Sequence, residues 1–373
     1  MATWSDGVLE RLDSPVLEAV RDLTGVWVVG GAVRDALLGR AHRHLDLVVE
    51  GDPAPVIDRL GAPTAVHERF GTYEVAGVDL AVARTERYPE PGALPEVMLG
   101  ATVAEDLARR DFTVNTLAVQ VCDGREEAWP GAVEDLHAGR LRLLHERSFV
   151  DDPTRVLRLA RLAARLGFAV EPTTDRRAAA ADLGTVSGSR VGAEIRLALD
   201  EPLPAALVEL ERHGLGRKAI HPAFAVDASL IAGLPGLAAL GACLLDAEDV
   251  AGALDALAFP AAERAAVVAA ADARALAQRL LAASSPSEVA EVAARQPPEA
   301  LAVAAALGAG EPVRQWLDEW RHVRLAINGD DLVGAGLHGP AVGAGLRAAL
   351  AAALDGVAPD REAQLAVALE GAR

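Results

Sequence analysis

At Asp151 the hydrophobic pattern changes period, and no other feature of the sequence constrains the fold as much. Upstream, short β-branched runs alternate with turn residues: Val26 to Val29, Leu45 to Val49, Tyr73 to Ala76, Val78 to Val82 and Thr113 to Val121. Their length and period predict strands, and Ala32 to Leu38 predicts a helix between the first two. Downstream, Ala, Leu and Arg recur at helical spacing, broken by Pro202, Pro204, Pro222, Pro235, Pro260, Pro286 and Pro297-Pro298. The chain therefore reads as an α+β domain followed by an all-helical array. With 373 residues and 51% apolar content it can bury the cores of two or three domains.

Charge bears on the choice of partner. The formal net charge is −18, which disfavours phosphate contacts if spread evenly. It is not even: residues 1–137 carry 12 basic and 24 acidic groups, 138–200 carry 11 and 8, and 201–373 carry 13 and 22. Only the middle segment is net positive, and Arg155, Arg158, Arg161 and Arg165 line one side of a helix there, a pattern usual for a solvated face. Cys122 and Cys243 stand far apart without CxxC spacing, which speaks against a disulfide framework or a zinc site and for small buried apolar residues. The N-terminus shows no basic-then-apolar signal, and no apolar run reaches the roughly 18 residues of a membrane span, so the expected location is cytoplasmic with no membrane partner.

Two stretches hold residues suited to chemistry. Gly30-Gly31 falls where a strand ends and a helix begins, with Arg34 one turn in, so backbone N–H groups and a guanidinium are available to phosphates. By itself the pair is equally a tight strand-to-helix turn, and neither GxxxxGK[ST] nor GxGxxG spacing occurs. In the strand that follows, alternation puts His44 and Asp46 on one face and Leu45, Leu47 and Val49 on the other. Asp79 heads a second apolar run. Converging carboxylates on neighbouring strands are what phosphoryl transfer through two Mg²⁺ ions needs. Further on, Asp151-Asp152-Pro153 reads as a capped helix start, with Asp152 and Arg155 placed for an i,i+3 ion pair. Trp316, Trp320 and Arg324 fall on one face of a later helix, where core packing is the expected role of the rings.

Taken in order, GGAVRDALLG at 30–39 with the strand around Asp46, EDLARRDFTVNTLA at 105–118 and DDPTRVLRLARLAARLGF at 151–168 resemble the class II tRNA nucleotidyltransferase and poly(A) polymerase family motif for motif. Ser189-Arg190, Glu194, Asn328-Gly329-Asp330-Asp331-Leu332 and Gly339-Pro340 extend the resemblance over essentially the whole chain. It implies a polymerase-β-like nucleotidyltransferase head with a mixed sheet at 1–137, a helical neck at 138–200 and a helical body and tail at 201–373 that bind tRNA. The implied activity is addition of CMP and AMP, or AMP alone, to tRNA 3′ ends from CTP and ATP, with Mg²⁺ or Mn²⁺ as cofactor.

The same resemblance implies that Asp46 and Asp79 are the catalytic, metal-holding carboxylates. Gly30, Gly31, Arg34, Arg110, Asp111 and Asn115 would hold the triphosphate and ribose. Asp152 and Arg155, with Arg158 beside them, would read the base. A carboxylate accepts from the exocyclic amine of C or A, whereas U and G present a carbonyl there. Residues 84–97 resemble the flexible loop of CCA-adding and A-adding members, with Arg84, Glu86 and Tyr88 as its candidate working residues. One position departs from the pattern: the family reads D-x-D where this chain has His44-Leu45-Asp46, and imidazole is a poorer Mg²⁺ ligand than carboxylate. His44 makes a catalytically impaired RNA-binding paralogue one alternative; a poly(A) polymerase is the other, disfavoured by the net acidic character of residues 201–373 where that subfamily carries a basic extension.

Overall fold

The computed structural model describes residues 4–42 and 44–372. The amino-terminal part contains strands β1 (Val26–Val29), β2 (Asp46–Val49), β3 (Ala65–His67), β4 (Thr72–Val75), β5 (Val78–Val82), β6 (Arg84–Arg87), β7 (Glu96–Leu99), β8 (Leu117–Gln120) and β9 (Glu126–Ala128). Seven of them form one mixed sheet in the order β3-β4-β5-β2-β1-β8-β9. Within it β2 and β5 run parallel, and the other described pairs are antiparallel. The helices that matter for the site are α1 (Gly31–Leu37), α2 (Val103–Ala108), α3 (Arg155–Leu166) and α4 (Gly188–Leu199).

The central strands read as near-continuous apolar runs because both of their faces are covered. Every residue of β1 and β8 is buried. Leu47 and Leu80 point to one side and are fully buried, each contributing about 1.5–3 kcal/mol. On the other side Trp27, Val29 and Val48 pack with Val103 and Leu107 of α2. That helix starts from a capping box, Thr102 with Glu105, and the Val103 N–H donates to Glu50 Oε1 at 2.7 Å. Such a cap is worth about 1 kcal/mol and fixes where the helix meets the sheet.

Several expectations need correction. The run Thr113 to Val121 is a strand only from Leu117: Thr113–Asn115 is a 3₁₀ turn, because the Thr113 hydroxyl donates to the buried Asp135 and the Thr116 hydroxyl to the Thr113 carbonyl. Residues 84–97 are a loop only over 88–95, since β6 and β7 at its two ends pair antiparallel from Arg84↔Leu99 to Arg87↔Glu96. The helix expected at Asp151 starts at Arg155; Ser148–Asp151 is a short helix of its own, and Asp152 shapes the turn between them by accepting from the Thr154 N–H. Past Asp151 the array is helical but for Ala169–Val170, which pairs with Arg140–Leu141. Trp316 and Trp320 are half-buried and do not share a helix, because Gly310–Asp318 ends before Trp320 and Arg324 lies exposed beyond it. Cys243 is buried and Cys122 only partly so.

The described chain divides into two compact units: Met1–Glu201 with Arg212–Leu215, and Pro202–Glu211 with Gly216–Arg373. The division expected at 137/138 falls inside the first unit. The second is helical throughout its described elements, with Ile327, Leu332, Ala349 and Ala368 forming a small core near its end. No described helix is long and apolar enough to cross a membrane.

Candidate active site

At the end of β1 the chain turns through Gly30 into α1. Gly30 has φ +68°, and its N–H donates to the Leu117 carbonyl at 2.8 Å. A Cβ there would stand 2.6 Å from Nη1 of Arg110, so only glycine lets the turn and that guanidinium lie against each other. Arg110 is held from behind by Asp106, fully buried on α2, whose two oxygens take Arg109 at 2.8 Å and Arg110 at 3.0 Å. Burial works against the Asp106 charge, but Arg110 and Arg109 outweigh it and keep the carboxyl below its ordinary range. The Nε of Arg110 is left buried with no hydrogen-bond partner among the described residues. An orphaned cationic donor beside a Gly-Gly turn is a place for an anion.

Arg34, expected to reach the phosphates, lines the cavity and is 2% exposed. Its Nε donates to Asp35 and its Nη1 to Asn115 Oδ1 at 2.5 Å. Asn115 in turn donates to Asp111 at 2.9 Å, and Asp111 Oδ2 accepts from Arg158 Nε at 3.0 Å. Burial opposes ionisation of Asp111, yet Arg158, Asn115, Arg155 and the Phe112 N–H together hold its carboxyl far below the usual carboxylate range. Arg158 is pushed the other way, upward, chiefly by Asp111. The Arg stripe on α3 is therefore not a simple solvated face: Arg161 pairs with Glu194 of α4 at 2.6 Å, and Arg165 pairs with the buried Glu201.

Asp46 opens β2 directly opposite Asp79 of β5, and Asp79 stands directly opposite Glu74 of β4. Residues in register share a face, so three carboxylates form one row across three strands. The Asp79 N–H donates to the Leu45 carbonyl at 3.3 Å, away from β4. Glu74 and Asp79 are thus a non-hydrogen-bonded pair, the kind whose side chains lie closer together. None of the three is given a hydrogen bond or ion pair by another described side chain. Burial, with Asp79 adding to it and Arg110 opposing, pushes the Asp46 carboxyl up. Glu74 was not visible as a site residue in the sequence, because nothing local shows that β4 lies beside β5 in this register.

Gly30, Gly31, Arg34, Asp46, Arg110, Asp111, Asn115, Asp152, Arg155 and Arg158 all line one cavity of about 680 Å³. Asp46 and Arg110 also line a second, of about 360 Å³, together with Asp79 and Glu74. His44 lies before β2, exposed, and lines neither. The expected Asp152–Arg155 ion pair is absent: Asp152 pairs with Arg190 at 2.9 Å. Arg155 gives its terminal nitrogens to the carbonyls of Arg109 and Arg110 and to the Ser148 hydroxyl. Glu86 and Tyr88 of the β6–β7 ribbon line the first cavity as well. The Tyr88 hydroxyl donates to Glu86 at 3.1 Å, and burial is the main reason its pKa is pushed up to about 12.

The donor set suits a divalent cation. Two register-paired carboxylates without partners, next to an orphaned guanidinium nitrogen, match the way Mg²⁺ is held by one or two carboxylates plus phosphate oxygens. Among the described residues no three acidic, His or Cys side chains enclose a metal by themselves, so phosphate oxygens would complete the shell.

Residues 26–142 match the poly A polymerase head domain family. The chain is 38% identical over 237 residues to an A-adding tRNA nucleotidyltransferase from Geobacter sulfurreducens, covering 57% of this chain and 27% of that one. It is 37% identical over 276 residues to a CC-adding tRNA nucleotidyltransferase from Deinococcus radiodurans, covering 69% of this chain and 67% of that one. Against the apo form II structure of a CCA-adding enzyme the TM-score is 0.83 at 26% identity, covering 99% of both chains. Against a CCA-adding enzyme complexed with ATP it is 0.80 at 25% identity, covering 98% of both. With the Gly-Gly turn, the carboxylate row and the Arg-lined cavity in place, and with a relative matched over two thirds of its length, the chain belongs to the tRNA nucleotidyltransferase and poly(A) polymerase family.

Proposed function

We propose that this protein adds CMP and AMP to the 3′ ends of tRNA, drawing on CTP and ATP, in the cytoplasm. The observation that carries the reading is the single cavity in which the Gly30 turn, Arg110, Asp46, Arg158 and Asp152 meet. The triphosphate lies between the Gly30-Gly31 backbone and Arg110, whose free Nε finds its partner there. Asn115 and Asp111 face the ribose, oriented by Arg34 and Arg158. Asp46 and Asp79 hold Mg²⁺ or Mn²⁺, which when bound neutralises charge at the α-phosphate and makes the 3′-hydroxyl of the RNA a better nucleophile. The second cavity, on the same face of the sheet, receives that RNA end.

Asp152 reads the base. Its Oδ1 is filled by Thr154 and Arg190, and its Oδ2 accepts from no described residue. An amine of C or A satisfies that oxygen, whereas the carbonyl of U or G opposes it, a mismatch that costs about 1–3 kcal/mol when buried. Arg155 works from behind, fixing the backbone of Arg109 and Arg110. The test is incorporation of each labelled nucleoside triphosphate into tRNAs ending without A, CA or CCA, with Mg²⁺ and separately with Mn²⁺. Addition of C and A but not of U and G supports the reading. No addition to any tRNA with either metal overturns it, and addition of A to unrelated RNA ends would move it to poly(A) synthesis.

A further inference from the structure

We propose that Glu74 supplies the carboxylate this chain lacks at position 44, so that the metal site spans three strands and Asp79 is shared between two neighbouring ion positions. This rests on the nucleotide-addition reading and adds a ligand to its site. Where the D-x-D pattern calls for a first carboxylate, the chain has His44, which is exposed and lines neither cavity. Asp46 is thereby left alone on β2. The same face of the sheet continues across two more strands, with Asp79 opposite Asp46 and Glu74 opposite Asp79. All three line the cavity of about 360 Å³, as does Arg110, whose buried Nε has no hydrogen-bond partner among the described residues. Nothing competes for Glu74 along the row: the next position, on β3, is Ala65, and no described side chain gives Glu74 a hydrogen bond or ion pair.

The row divides into two pairs. Neighbouring strands lie about 4.8 Å apart, so three of them span roughly 10 Å, too wide for one ion whose oxygen ligands stand about 2.1 Å away. In keeping with this, no three carboxylates among the described residues enclose a metal. Each neighbouring pair suits one ion held by two carboxylates and completed by substrate oxygens. The non-hydrogen-bonded pairing of Glu74 with Asp79 sets their Cβ atoms about 4.5–5.5 Å apart, and the extra methylene of Glu74 lets its carboxylate turn toward Asp79. The two positions also differ in what they border. Asp46 lines both cavities, whereas Asp79 and Glu74 line the second alone. The Asp46–Asp79 position therefore stands between nucleotide and RNA end, and the Asp79–Glu74 position faces the RNA end. A pair of ions sharing one carboxylate is the arrangement that clamps the attacking and leaving oxygens of an in-line displacement.

The test uses the full-length protein in four forms: wild type, Glu74→Gln, His44→Asp, and the double variant with both changes. Mn²⁺ binding is counted from the paramagnetic resonance signal of the free ion in the presence of CTP, with Mn²⁺ and CTP alone as the blank. Salt is kept at about 0.3 M, where through-space attraction between exposed charges is largely screened. The expected result is two ions per wild-type chain, the weaker of them bound at least about tenfold less tightly after Glu74→Gln. The Mn²⁺ concentration giving half-maximal nucleotide addition should rise by the same factor. In the His44→Asp background, Glu74→Gln should change little, because the missing carboxylate has been restored. Identical Mn²⁺ binding by wild type and Glu74→Gln would overturn the proposal. So would a wild type that takes up a single ion, or a double variant that binds no better than Glu74→Gln alone. A wild type that binds two ions with CTP yet adds nothing to tRNA refutes the transferase reading alone, and the ion counts of the variants still decide the role of Glu74.

Discussion

Two groups of carboxylates in the first unit are treated in opposite ways. On the sheet, Asp46, Asp79 and Glu74 stand in one row, and their carboxylates make no hydrogen bond or ion pair with a described side chain. Around the helices, Asp106, Asp111 and Asp135 are buried, and each is gripped by arginines: Arg109 with Arg110, Arg158, and Arg140 with Arg142. Like charges directly opposite across strands destabilise a sheet. A fold that neutralises its helix-side carboxylates so thoroughly, and leaves the sheet row bare, keeps the row for a charge that arrives with the substrate. The gripped group builds the cavity, and in the proposed reaction it is the bare group that meets the metal and the phosphates.

That contrast can be broken by substitution. The largest effect is expected for Asp46→Asn, which should reduce nucleotide addition to below about 1% of wild type while the protein without substrate becomes more stable. The sign follows from the raised Asp46 carboxyl. A group whose folded pKa lies above its unfolded value contributes stability below the unfolded value, and loses it as pH rises through the folded one. Denaturant midpoints for the variant and wild type should thus coincide near pH 3 and separate in favour of the variant by pH 7. A variant less stable than wild type at pH 7 would show that Asp46 is structurally paired after all.

Asp111→Asn is the opposite case. Its depressed carboxyl contributes stability above the unfolded value of about 3.9, lost as pH falls through the folded one. Asparagine forfeits the Arg158 charge pair, and because Arg158 is 45% exposed the loss should be moderate, about 2 kcal/mol at pH 7. Urea unfolding at pH 7 and pH 3 measures it, and a loss as large at pH 3 as at pH 7 would remove the electrostatic explanation. The smallest effect belongs to Glu74→Gln, which should stabilise the substrate-free protein by about 0.5 kcal/mol through relief of repulsion with Asp79. Its activity sharpens the comparison. Addition that falls only at low metal concentration would make Glu74 part of the bare group's work, whereas unchanged addition would restrict that work to Asp46 and Asp79.

Much of the site was legible before the fold was known, and what was legible has a common cause. Gly30-Gly31, Asp46 and the motifs at 105–118 and 151–168 are local: each couples a residue type to its own strand end or helix start, and ten of the expected residues do line one cavity. What misled was partner choice. Arg34 lines the cavity as expected, but its partner Asn115, 81 residues away, could not be read from local sequence. The Asp152–Arg155 pair looked natural at i,i+3 spacing, yet Arg190 and the backbone of Arg109 and Arg110 offered better geometry to each. The stretch 84–97 looked like a loop because Pro89, Pro91, Gly92 and Pro95 dominate it, but those residues are confined to the turn and the strand edge, which leaves the β6 and β7 ladders free to form.

By itself, then, the sequence determined the change from strands to helices, the turn at Gly30, and which residue types were available for phosphate, metal and base. Those follow from periodicity, steric allowance at positive φ and the chemistry of single side chains, all properties of short segments. Only the tertiary structure decided that β5 lies parallel to β2, so that Asp79 meets Asp46 and Glu74 joins the row. It also decided which arginines spend their hydrogen bonds on the scaffold and which, like Arg110, keep a buried nitrogen without a partner among the described residues. Strand register and guanidinium partners are chosen by competition among groups far apart in sequence, and that competition has an outcome only once the chain has packed.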